Sequence, residues 1–241
     1  MSFCRNITIV SPHIDDAILS LGGLIRNTTG AENRVSVQYV FSISDWVNPD
    51  SIDGAPQSTG QASITEIRKK EEALVCSELG YQYDFLDFMD LPLRKGEATS
   101  EMNGLIGDIK NKLEKTLHPS DDCFFPLGFG HPDHKVVNEI GLNLLARGYE
   151  VLFYEDLPYA AYGDYNYEER CSFLKQEGLE PVLVEINIGQ KLKTLKLYAS
   201  QMSEKWLTGI MNYAYCLSDN RFYERYWQPV NRKKYTGHVP D

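Results

Sequence analysis

The chain has 241 residues, 42% hydrophobic and 24% charged, proportions that exclude a disordered tail, a collagen-like repeat or a coiled coil. Its 24 basic and 34 acidic residues leave a net charge of −10, the wrong sign for a protein that gains affinity by neutralising nucleic-acid phosphates. Such a surface attracts cationic small molecules instead.

Asn6 to Val10 is a short apolar run that predicts a strand. After a polar turn, the spacing of Ala17, Ile18, Leu19, Leu21, Leu24 and Ile25 predicts a mostly buried helix. Val35 to Phe41 alternates as a strand does, and the polar, Pro- and Gly-containing stretch Ser44 to Ala62 reads as a long loop. Ser63 with Glu66 makes a capping box for a helix that runs to about Leu79 and stops at Gly80. Tyr83 to Phe88 is a third strand, Glu101 to Leu117 a helix, and Cys123 to Phe125 a fourth strand. His134 to Arg147 is a helix closed by Gly148, and Val151 to Tyr154 is a fifth strand. A further strand over Val182 to Ile186 precedes helical segments from Gln190 to Gln201 and from Trp206 to Leu217.

Strands alternating with helices predict the α/β class: a Rossmann-like, doubly wound, mainly parallel sheet with helices on both faces. With no repeat, low-complexity tract or linker, the expectation is one domain over residues 1–241. No stretch approaches the roughly 18 to 20 apolar residues that cross a bilayer, and the start has no signal-peptide pattern. Cys4, Cys76, Cys123, Cys171 and Cys216 are dispersed and lack a CxxC pair, which fits reduced thiols in a cytoplasmic protein rather than a disulfide framework.

Two clusters carry the chemistry. Pro12-His13-Ile14-Asp15-Asp16 lies just past the first strand, and His131-Pro132-Asp133-His134 just past the fourth. In a doubly wound sheet that starts in the middle, strands one and four are neighbours where the order reverses, and ligands bind at their carboxyl ends. The two clusters are therefore expected to meet. Zn²⁺ suits histidine nitrogen with carboxylate oxygen, and three protein ligands leave a position open for water. A spare aspartate and a spare histidine supply a base and a donor. The competing reading makes the aspartates helix caps, a place Asp16 is positioned to take, and the histidines core residues. Convergence of both clusters on one crevice favours the site.

PHIDDAILSLGG from Pro12 and GHPDHKVV from Gly130 resemble the two signature motifs of the PIG-L/LmbE-like family of zinc-dependent N-deacetylases. The resemblance covers about the first 160 residues of the chain. It implies zinc ligands at His13, Asp16 and His134, a general base at Asp15, and His131 polarising or protonating at the tetrahedral intermediate. It also implies substrate contacts at Arg68, of an RxxE element with Glu71, and at Asp90. The family's frequent PHPDDE is changed here at Ile14 and Ala17, which spares the ligands. Where some members carry a tyrosine to hold the oxyanion, this chain has Phe129, and Tyr159 or another loop tyrosine is the candidate replacement. SPHIDDA, YEDLPY at Tyr154 to Tyr159 and YASQM at Tyr198 to Met202 are similar to a bacterial branch that deacetylates sugars of antibiotics and other secondary metabolites.

For both Arg68 and Asp90 a plain structural reading competes: a solvated Arg–Glu pair on a helix surface, and a cap for the turn before Pro92. The tyrosines from Tyr159 to Tyr167 are expected to place at least one ring in the sugar pocket. Leu21-Gly22-Gly23 falls inside the first helix and follows no strand, so a dinucleotide site is rejected. The resulting expectation is a zinc enzyme, one ion per chain, that removes an N-acetyl group from an acetamido sugar of a small glycoside or aminoglycoside-like molecule. Nucleic acid and membrane are not expected partners. An amidase for another N-acyl or thiol-conjugate sugar is the alternative, decided by acyl-pocket size. A non-catalytic carbohydrate-binding protein is a second alternative, opposed by retention of all five metal and acid-base residues.

Overall fold

The structure, a computed structural model, describes residues 5–29, 33–51, 61–94, 99–162, 167–230 and 232. Strand β1 (Asn6–Ser11) lies mid-sheet, with β2 (Arg34–Tyr39) and β3 (Gln82–Phe85) parallel on one side. On the other side β4 (Asp122–Pro126) and β5 (Val151–Tyr154) are also parallel. The order therefore reverses between β1 and β4, as the sequence predicts, and opens a crevice at their carboxyl ends.

Beyond β5 the sheet becomes antiparallel through β8 (Arg221–Pro229), which also pairs with β6 (Leu179–Glu185) and with the short β7 (Tyr215–Cys216). Strand β8 is absent from the sequence reading because RFYERYWQP mixes charge and aromatics without alternation, and its burial is equally irregular. Helix α5 (Tyr167–Gln176) was likewise not expected; its ten residues bury only Cys171 and Leu174.

Alternate residues of each central strand feed two apolar clusters. Ile7, Ile9, Val37, Phe124, Leu152 and Tyr154 face α1 (Asp16–Thr29), α2 (Gln61–Leu79), α6 (Ile188–Leu195) and α7 (Glu204–Ala214). Val10, Phe41, Phe125 and Phe153 face α3 (Thr99–Leu113), α4 (Pro132–Ala146) and α5. Cover on both faces explains why β4 and β5 are buried throughout and, apart from Asp122 at the start of β4, read as apolar runs.

Helix α2 begins at Gln61, so Ser63 stands inside its first turn and is not its cap. Helix α6 is shorter than the apolar spacing suggests because the chain turns between Leu197 and Met202, and α7 ends at Ala214 because Tyr215 and Cys216 pair with β8. Of the cysteines, Cys123 and Cys171 are buried, Cys76 and Cys216 half-buried, and Cys4 lies outside the described residues. Among the described residues no helix is long and apolar enough to cross a membrane.

Candidate active site

Both clusters reach the crevice. At the end of β1, Ser11 Oγ donates to the His13 carbonyl at 2.6 Å and accepts the Ala17 N–H at 3.0 Å. The Asp15 carbonyl accepts from Ile18 and Leu19 and opens α1. The first free amides of the helix are thus met by groups other than the Asp16 carboxylate. That carboxylate turns back: Oδ2 accepts the His13 N–H at 2.8 Å and lies 3.0 Å from His13 Nδ1 and 3.0 Å from His134 Nε2. A helix cap is not what the Asp16 side chain does.

His134 arrives from the first turn of α4. The β4–α4 connection needs a left-handed residue at Gly128 (φ 81°), where a Cβ would sit 2.9 Å from Asn138 Cβ. His131 is the N-cap of α4, its Nδ1 accepting the Asp133 N–H at 3.2 Å, and Pro132 follows in the first turn, where its missing donor costs nothing. One ligand atom each from His13, Asp16 and His134 lies within 4.8 Å of the others.

The trio fits a bound zinc ion in two further respects. His134 Nε2 is buried without a hydrogen-bond partner, although Asp16 Oδ2 is 3.0 Å away. Each histidine of the trio also offers its second nitrogen to a carboxylate: His13 Nε2 meets Asp133 Oδ2 at 3.0 Å, and His134 Nδ1 meets Asp156 Oδ1 at 2.6 Å. Carboxylates in that position set the tautomer and basicity of metal-binding imidazoles. A second group, His13, His131 and Asp133, is also close enough to hold an ion. It is the poorer site, because both Asp133 oxygens are engaged, Oδ1 by Arg94 and Oδ2 by the Leu91 N–H at 3.0 Å and by His13.

Charges within the cluster offset one another. Burial works against protonation of His13 and His134, yet Asp16 and Asp133 raise His13 to about 9, and Asp16 and Asp156 raise His134 to about 10. Burial would raise Asp16, but the two imidazoles hold it well below the usual carboxylate range. His131 goes the other way: burial, helped by His13, lowers it to about 4 and keeps it neutral. Asp15 is raised by burial, against the pull of Arg68.

A cavity of about 250 Å³ opens over His13 and Asp16, with His134 buried beside them, and Asp15, Arg68, Asp90, His131 and Tyr159 all line it. Arg68 is buried rather than part of a solvated pair. Its Nη2 donates to Asp15 Oδ1 at 3.1 Å and its Nη1 to Ser44 Oγ at 3.1 Å, while Nε has no partner. Glu71 accepts from both the backbone and hydroxyl of Ser200, each at 2.7 Å. Asp90 precedes the 3-10 turn Leu91–Leu93 but makes no side-chain cap there; its Oδ1 is buried and unpartnered. The Tyr159 ring packs 5.1 Å from the His134 ring and 6.3 Å from that of His131. Phe129 stacks on Tyr167 at 5.8 Å, and Tyr165 lies outside the described residues.

Sequence reasoning missed Asp133 and Asp156, and also Trp46, Gln201 and Trp206, which line the cavity as well. Asp133 sits within HPDH and Asp156 just past β5, at the same carboxyl edge, so topology was the available signal. Gln201 lies within YASQM, a segment marked only by resemblance, and no local pattern marks Trp46 or Trp206.

An α/β sheet that presents two imidazoles, a carboxylate and a spare acid at its switch point has the equipment of a hydrolase. The chain belongs to the PIG-L family, described as GlcNAc-PI de-N-acetylase, which residues 8–145 match. It is 29% identical over 220 residues to a 2'-N-acetylparomamine deacetylase of Streptomyces fradiae, covering 86% of this chain and 77% of the relative. A 2'-N-acetylparomamine deacetylase of Niallia circulans is 25% identical over 190 residues, 64% of this chain and 68% of the relative. Among solved structures, a deacetylase of the teicoplanin biosynthesis pathway superimposes with a TM-score of 0.75 at 19% identity, covering 95% of this chain and all of the other. At that identity the likeness shows the shared fold.

Proposed function

We propose that the protein is a zinc-dependent N-deacetylase, residues 1–241 forming one domain, that frees the amine of a 2-acetamido sugar in an aminoglycoside-like molecule. The carrying observation is His13, Asp16 and His134 gathered beneath a cavity that also holds Asp15. Similarity to the two paromamine deacetylases supports the substrate class. A sheet that draws strands from Asn6 through Pro229 supports the single domain.

Zn²⁺ held by His13, Asp16 and His134 would supply Lewis acidity toward the acetyl carbonyl and lower the pKa of water at the site. Asp15 accepts the proton of the attacking water. Arg68 occupies its Oδ1 at 3.1 Å, which leaves Oδ2 for that proton. A water oxygen joins the acyl carbon, the C–N bond breaks, and Asp15 passes the proton to the departing nitrogen, giving acetate and a free amine. His131 donates a hydrogen bond to the developing oxyanion. Its Nδ1 already accepts the Asp133 N–H, so the neutral ring carries its proton on Nε2. Tyr159 brings the hydroxyl that Phe129 lacks. Arg68 Nε and Asp90 Oδ1, both buried without partners, are the donor and acceptor that sugar hydroxyls complete.

The test is acetate release from 2'-N-acetylparomamine by the purified chain, before and after chelation and with zinc restored. Turnover that chelation abolishes and zinc returns is the expected result. Cleavage of a phosphoester, with no free amine from a panel of N-acetyl sugars, would overturn the reading.

A further inference from the structure

Away from the metal trio, the same cavity carries a wall that the mechanism does not use. Trp46, on the segment after β2, and Trp206, in the first turn of α7, stack with ring centroids 6.2 Å apart and planes 17° from parallel. They are too close together to admit a ring between them, so they present one continuous aromatic surface. Trp46 belongs to neither apolar cluster and is 38% exposed, which leaves part of a large apolar ring open at the cavity it lines.

Gln201 adjoins this surface. Its Nε2 donates to the Trp46 carbonyl at 3.3 Å and to Ser200 Oγ at 2.9 Å. The Trp46 carbonyl only accepts, and the Ser200 hydroxyl proton is committed to Glu71 at 2.7 Å. A flipped amide would set oxygen against two acceptors, so the orientation is fixed. Gln201 Oε1 is then left without a partner on a side chain that is 1% exposed, in a residue that lines the cavity. Buried acceptors are seldom left open in a finished site.

We propose that Trp46, Trp206 and Gln201 form a second subsite, which takes an amine-bearing ring joined to the acetamido sugar. This rests on the proposed deacetylase function. Aromatic faces attract ammonium groups, and a carboxamide oxygen accepts from an ammonium or a hydroxyl. Anionic rings are disfavoured: among the described residues Arg68 is the one Lys or Arg lining the cavity, and it is bonded to Asp15. The net charge of −10 draws in the same direction.

The experiment compares kcat/KM on 2'-N-acetylparomamine with kcat/KM on an N-acetylglucosaminyl inositol, whose second ring is uncharged, for wild type, Trp46→Ala and Trp46→Phe. In parallel, binding of the amine product, paromamine, is measured by calorimetry. The wild type is expected to prefer the amine-bearing compound. Trp46→Ala should raise its KM and the Kd of paromamine by roughly three- to thirtyfold, shrinking the preference, and Trp46→Phe should restore most of it. Equal losses on both compounds, an uncharged ring accepted as well as the aminated one, or an unchanged Kd would overturn the subsite. If no compound is deacetylated while Trp46→Ala still weakens paromamine, the subsite stands and the deacetylase reading falls.

Discussion

Asp156 Oδ1 lies 2.6 Å from His134 Nδ1 and so decides which nitrogen of that ring is turned toward Asp16. The bond is wholly buried, and Asp156 Oδ2 is tied down in turn by the Phe129 N–H at 3.2 Å. Loss of such a partner typically weakens metal binding 10- to 100-fold. Asp156→Asn, which keeps the shape but leaves one acceptor oxygen for two buried donors, is expected to lower zinc affinity within that range and to lower the thermal midpoint as well. Chelator competition measures it. Unchanged affinity would show that Asp156 orients nothing that matters to the ion.

Glu72 carries the clearest pH signature away from the metal. It is fully buried and accepts hydroxyls from Tyr81 and Tyr198, each at 2.5 Å. Burial outweighs those bonds and raises its carboxyl from 4.5 to about 7. The folded state therefore holds a proton that the unfolded chain releases, so stability falls as pH rises from about 4.5 to about 7 and is flat above. The fall amounts to about 3 kcal/mol at 1.36 kcal/mol per unit. Glu72→Gln cannot ionise, and the difference in stability between pH 5 and pH 8, which spans most of that fall, should shrink by about 2 kcal/mol relative to wild type. Urea midpoints of both proteins at the two pH values give the answer; equal pH dependence would mean that Glu72 does not titrate in this window.

The strand–helix alternation from β1 to β5 is legible because the central strands are buried on both faces, α1 is apolar and buried almost all round, and helices such as α4 bury one face. The meeting of His13, Asp16 and His134 then follows from strand order alone. Strand β8 is illegible for the opposite reason. RFYERYWQP pairs with three strands and serves packing, charge and hydrogen bonding at once, with Glu224 buried against Lys191 at 2.6 Å. Asp156 and Gln201 sit within YEDLPY and YASQM, segments the sequence singled out, yet their roles depend on partners that are distant in the chain. Arg68 shows the same limit: its spacing to Glu71 suggests a surface pair, and only the fold turns the two toward Asp15 and Ser200.

Gly23 ties that antiparallel region to the site. A Cβ there would lie 2.3 Å from Ile186 Cγ2, and the Gly23 and Leu24 amides donate to Glu224 at 2.8 and 2.7 Å where α1 departs from helical geometry at Leu21. Alanine is favoured over glycine inside a helix by roughly 1 kcal/mol, but forced overpacking costs about 1 to 3 kcal/mol. Ile186 is buried and branched at the contact, with little room to yield. Gly23→Ala is expected to lower the thermal midpoint, by roughly 2 to 4 °C per kcal/mol for a chain of this size. A raised midpoint would show that helix propensity outweighs the contact.

Asp15 and Asp16 are adjacent and buried, yet their surroundings predict different failures. Asp16 Oδ2 stands 3.0 Å from a nitrogen of each ligand histidine. Asp16→Asn replaces a charged donor with a neutral amide between two imidazoles, so metal content and activity should fall together. Asp15 has one oxygen on Arg68 and lines the cavity without belonging to the ligand trio. Asp15→Asn should keep the ion and lose the proton acceptor, a loss of about 10² to 10⁴ in kcat, or roughly 3 to 5 kcal/mol of barrier. Were the two carboxylates only capping α1, neither variant would change turnover once folded, and the capping position would lose about 0.5 to 2 kcal/mol of stability. The first amides of α1 are already met by Ser11 Oγ and the Asp15 carbonyl meets Ile18 and Leu19, which speaks against that outcome. Metal analysis, thermal midpoint and single-turnover rate on both variants separate the cases. Wild-type turnover by metal-loaded Asp15→Asn would remove Asp15 from the role of base.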